Sequence, residues 1–77
     1  MYIVVKAIWD DEACVWVASS GDLPGLNTEA DTAEQLVEKL DRMIPDLLEA
    51  NHCDTDSEVE FCIQSERRVK AHIHTSV

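Results

Sequence analysis

Only one stretch of this chain has the spacing of an amphipathic helix, yet its first two strand-like segments are apolar on both faces. Residues 2–9 (Tyr-Ile-Val-Val-Lys-Ala-Ile-Trp) are β-branched and aromatic, as a pleated, buried strand requires. Ile3, Val5, Ala7 and Trp9 share one face, and Tyr2, Val4 and Ile8 share the other, interrupted by Lys6. Residues 14–19 (Cys-Val-Trp-Val-Ala-Ser) are again apolar on both sides. One helix covers one side of a sheet, so the second side is expected to complete its burial against another chain. Tyr2, Val4, Ile8, Trp9 and Trp16 are the expected interface residues, Trp being enriched at such sites.

The remaining segments fill in the fold. Asp10 to Ala13 is polar and short enough to join two antiparallel strands. In Leu23-Pro24-Gly25, Pro24 fixes φ and Gly25 supplies a positive φ, the requirement of a type II turn. Residues 26–30 form a short third strand. Asp31 or Thr32 then caps a helix whose apolar stripe is Leu36, Val37, Leu40, Met43, Ile44, Leu47 and Leu48. Pro45 should kink its last turns, and Asn51 can stop it in the left-handed conformation. Beyond a polar loop, residues 58–64 alternate, with Val59, Phe61 and Ile63 inward. Residues 69–75 alternate likewise, and pairing Phe61 with Ile73 and Ile63 with Ala71 makes Glu66-Arg67-Arg68 a hairpin loop. The expected fold is α+β: an antiparallel sheet of four to five strands in the order βββ-α-β(β), one helix on one face, with residues 1–77 forming a single domain.

Charge narrows the partners. The chain has 16 acidic and 6 basic side chains, a net charge of -10. Such a surface repels nucleic acid and anionic lipid, and it speeds encounter with a basic protein. No apolar run approaches the roughly 20 residues that span a bilayer, and the N-terminus lacks the pattern of a signal peptide. Three cysteines without tight spacing give no disulfide framework, so a reducing, cytoplasmic setting is expected. At 77 residues a domain buries only about 60 % of its unfolded surface, which makes homo-oligomerisation a natural source of stability.

Chemical constellations are sparse. In the hairpin register above, Cys62 lies opposite His72 and Glu60 opposite His74, which makes Cys62, His72 and His74 weak metal candidates. They lack the close spacings of a zinc site, and the plainer reading is a polar strand face. Asp54-x-Asp56-x-Glu58 lacks the glycine of a calcium loop and reads as a solvated turn. Asp10, Asp11 and Glu12 sit on a hairpin tip, where carboxylates are ordinarily ionised and unsuited to acid–base work. The cysteines have no evident activating base. Arg67, Arg68 and Lys70 form the one cationic cluster, better read as a solubilising tip than as a phosphate grip. Neither a catalytic residue nor a cofactor is expected.

Read in order, Trp9 to Ser20, then Asp22-Leu23-Pro24-Gly25-Leu26, then Glu29-Ala30-Asp31-Thr32-Ala33-Glu34-Gln35-Leu36, with Ile44-Pro45-Asp46-Leu47-Leu48-Glu49 ending the helix, the chain resembles the HicB-like antitoxin superfamily. Within it, the chain is most similar to a branch of short prokaryotic proteins. The resemblance spans about residues 3–63 and implies a partly degenerate ribonuclease H-like sheet with one helix and no nuclease site. It implies a protein that binds and blocks a small basic toxin that cleaves messenger RNA. Many such antitoxins continue into a DNA-binding segment, whereas only four residues follow Ile73 here, so direct nucleic-acid binding is not expected. The functional expectation is a non-catalytic, antitoxin-like protein binder. The alternative is a stand-alone metal- or small-ligand-binding, homo-oligomeric regulator.

Overall fold

The computed structural model describes residues 2–51 and 59–73. Strand β1 (Tyr2–Asp10) turns into β2 (Val15–Ser19) through a four-residue loop. The Asp10 carboxylate accepts from the backbone N–H groups of Glu12 and Ala13, and the Cys14 N–H donates to the Asp10 carbonyl at 2.7 Å. Closing this loop puts Cys14 at φ 57, so the expected strand start at Cys14 moves to Val15. The register sets Trp9 opposite Trp16 and Ala7 opposite Ala18.

Below Lys6 the second strand departs, and side chains replace it. Val4 N–H donates to the Asp22 carboxylate at 2.9 Å, while the Ser20 hydroxyl donates to the Val4 carbonyl at 2.7 Å. The chain then passes through Leu23-Pro24-Gly25-Leu26. Gly25 has φ 88 and the Leu26 N–H bonds back to the Leu23 carbonyl, the geometry of the expected type II turn. Leu23 and Leu26, at either end of the turn, are buried, so the turn carries two core anchors as well as reversing the chain.

Strand β3 (Asn27–Ala30) pairs antiparallel with β2, and helix α1 (Ala33–Ala50) follows. Thr32 is the N-cap, with its hydroxyl accepting from Gln35 N–H at 3.1 Å. Leu36, Leu40, Ile44 and Leu48 form the buried row, four residues apart, while Val37 at the edge of the stripe is 46 % exposed. Pro45 lies inside the helix on its exposed side, and the helix continues past it to Ala50. Asn51 ends the helix differently from expectation. Its φ is -91, outside the left-handed region, and its side-chain amide donates to the Leu47 carbonyl at 2.8 Å and to the Pro24 carbonyl at 3.4 Å. Helix end and Leu23–Leu26 turn are thereby tied together.

Strand β4 (Glu60–Glu66) lies beside β1, giving the order β3-β2-β1-β4. It runs parallel to β1, so the sheet is mixed and not antiparallel. The helix is the reason. After β3 it carries the chain back along the sheet, and the next strand must start from the end where β1 and β3 start. The edge of the three-stranded meander open to that return is β1.

The core lies between α1 and one sheet face: Ile3, Val5 and Ala7 of β1, Ala18, Ala30, the two turn leucines and the helix row. Ala18 and Ala30 have no bulk beyond Cβ, and the helix backbone comes close to β2 and β3 there, but not to β1 or β4. Phe61 and Ile63 on β4 are left only half-buried.

The expected C-terminal hairpin does not form within residues 67–73, which are neither strand nor turn and are exposed throughout. Glu66-Arg67-Arg68 is not a loop. Arg67 follows the last registered pair, Ile8–Glu66, and its guanidinium lies 4.4 Å from the Trp9 indole centroid. Arg68 lies 3.7 Å from Glu66, both side chains being largely exposed. The described residues reach 65 Å along one axis against 21 and 19 Å on the others. Their radius of gyration, 16.2 Å, exceeds the roughly 11 Å of a compact chain of this length.

Candidate interaction surface

The face of the sheet opposite the helix is built by alternation. Tyr2, Val4, Lys6 and Ile8 of β1 point to it, as do Val15 and Val17 of β2 and Glu60, Cys62, Gln64 and Glu66 of β4. Registration places Glu29, Val17, Ile8 and Glu66 side by side in one row across all four strands. Ile8 is 59 % exposed, Tyr2 60 % and Val17 41 %. The surface is therefore an apolar stripe along the two central strands, flanked by carboxylates on both outer strands, with Lys6 as its cation.

The five expected interface residues do not lie on one surface. Tyr2, Val4 and Ile8 are on the open face. Trp9 and Trp16 are on the helix side, at the end of the sheet beyond the helix row, where they pack edge to face with ring centroids 5.4 Å apart. Trp16 also packs on the core. Trp9 is held from three sides: by Trp16, by Arg67 over its ring, and by its indole N–H donating to the Asp11 carboxylate at 2.7 Å. The alternation of residues 2–9 already put Trp9 with Ile3, Val5 and Ala7, which was the signal that it faces the helix side.

Cys62 sits on the open face beside Val4, one strand from Tyr2 and half-buried. Hydrogen bonding with Cys62 chiefly, with the nearby charge of Glu60 adding to it, pushes the Tyr2 phenol above its ordinary value of 10.0. Cys62 and His72 are not brought together, because residues 67–73 run on from β4 instead of folding back along it; His74 and the Asp54–Glu58 acidic segment lie outside the described residues. Among the described residues no three His, Cys, Asp or Glu side chains are grouped to hold a metal ion, and no polar or charged side chain is buried. A recess of about 300 Å³ between Ile8, Trp9, Asp11, Glu66 and Arg68 opens where the β1–β2 tip meets the end of β4. No helix among the described residues is long and apolar enough to cross a membrane.

Three comparisons bear on this surface. The model of a family described as a domain of unknown function (DUF1902) matches residues 2–75. The crystal structure of hypothetical protein TTHA1013, from the extremely thermophilic bacterium Thermus thermophilus, is 45% identical and superposes with a TM-score of 0.80, covering 92% of this chain and 100% of that one. No functionally curated protein matches.

Proposed function

We propose, from the premise that this chain belongs to the DUF1902 family, that it is a non-catalytic protein-binding module that captures a small basic protein on its open sheet face. The observation that carries this reading is the row Glu29, Val17, Ile8, Glu66: exposed apolar side chains at the centre, carboxylates at both ends. Residues 1–66 hold all 16 acidic side chains and only three of the six basic ones, so the sheet body attracts a cationic partner and orients it. The apolar stripe then supplies the burial that charge alone does not.

The partner we propose is an RNA-cleaving toxin of the kind masked by HicB-like antitoxins, met in the cytoplasm. Two features support it: the resemblance of residues 3–63 to that superfamily, and the need of an RNA-binding protein for a basic surface. An acidic face that covers this surface blocks RNA by occupying the same phosphate-binding side chains.

The test is co-purification with the small basic protein encoded beside this chain's gene, followed by an assay of messenger RNA cleavage. Cleavage should stop at equimolar addition of this chain. Ile8→Asp, which places a charge in the apolar row without touching the core, should weaken binding at least about tenfold, equivalent to 1.4 kcal/mol. Undiminished cleavage in the presence of folded wild-type chain at micromolar concentration would overturn the reading.

A further inference from the structure

We infer that residues 67–73 of one copy pair antiparallel along β4 of a second copy, and reciprocally, joining the two sheets edge to edge. Four observations lead to this. The outer edge of β4 has no neighbouring strand among the described residues. Residues 67–73 follow that strand without a turn, with apolar Val69, Ala71 and Ile73 at alternate positions, Val69 74 % and Ile73 88 % exposed. Phe61 and Ile63, on the helix side of β4, are only half-buried because the helix lies over β2 and β3. The segment from Arg67 onward has three cations and no acid, while everything before it is strongly acidic.

The occupant is a second copy because the two halves of residues 60–73 complement each other. About a two-fold axis at Arg67, Phe61 faces Ile73 of the other copy, Ile63 faces Ala71, and Glu66 faces Arg68. This register would also form in a hairpin within one chain. Stacking of Arg67 on Trp9 ties the chain to the end of β1 at that point, and residues 67–73 show no turn that would send them back along their own β4. The two Arg67 side chains meet at the axis, but each leans back over its own Trp9, toward β1 and away from its twin. The exchange satisfies both β4 edges with main-chain hydrogen bonds and extends the half-covered apolar rows. It uses the edge of the sheet, not the open face, and does not rest on capture of a basic protein.

His72→Cys tests the register, because in the exchanged pair that position stands opposite the native Cys62 of the other copy. Mild oxidation of the full chain should give a covalent dimer, and peptide mass mapping should find the introduced thiol linked to Cys62. The same link inside a monomer, or no such link at all, would overturn the inference. As a second measurement, light scattering should find wild-type dimers, and Val69→Asp, at a position exposed in the single copy, should raise the dimer dissociation constant at least about tenfold. A wild-type monomer at micromolar concentration, or a dimer indifferent to Val69→Asp, would equally overturn it.

Discussion

The two edges of this sheet are finished in opposite ways. β3 is four residues long and mostly polar, and the helix that follows it folds back over it at once. Lys39 reaches from that helix to donate to the Glu29 carbonyl, so an edge acceptor is met within the chain. β4 is seven residues long, has no helix backbone near it, and runs on into an exposed, alternating segment. Natural sheets blunt their edges because an unpaired strand is a template for pairing. Here one edge is blunted and the other is left open, so association, where it occurs, has a direction built in.

Truncations on the two sides should separate them most sharply. Leu40→Ala, at a site with 0 % exposure beneath the helix, should cost about 2–5 kcal/mol in urea unfolding, whatever the protein concentration. Ile63→Ala, half-buried on the β4 side, should cost less, about 1–2 kcal/mol at high dilution, with a larger loss as concentration rises. A concentration-independent loss equal to that of Leu40→Ala would erase the contrast. Asp22→Ala takes the acceptor from Val4 N–H, where side chains stand in for a strand partner, and should lower stability by about 1 kcal/mol. Lys39→Met should change the unfolding midpoint least, by less than about 1 kcal/mol, since the site is exposed. Its effect should instead appear as association at the β3 edge in light scattering, and if the variant behaves as wild type, β3 owes its protection to length alone.

What was legible in the sequence is what neighbouring residues decide among themselves. The helix row, the Leu23–Leu26 turn and the β1–β2 hairpin each follow from spacing or from one residue's backbone preference, and each is present, while the cap, open between Asp31 and Thr32 in the sequence, falls on Thr32. The direction of β4 was not legible, because alternation at 60–66 is the same for a strand running either way. The lack of a turn at Arg67 goes with its contact to Trp9, 58 positions earlier in the chain, and a run of Glu-Arg-Arg read alone looks like a turn. The open face followed from apolar residues at Tyr2, Val4 and Ile8. The separation of Trp9 and Trp16 from it required taking the alternation literally, over the general preference of tryptophan for interfaces.

The parallel placement of β4 against β1 has a consequence for how the chain is made. β1 is made before the other three strands of its sheet, yet it is an interior strand of that sheet, and one of its two sides waits for residues 60–66. Its left flank can zip to β2 within a few residues of synthesis, while its right flank stays bare until residues 60–66 have been made. Slow, long-range pairing therefore comes last. Translation that stalls in the helix would release three of the four strands, with one edge of β1 left open to whatever nascent chain lies nearest.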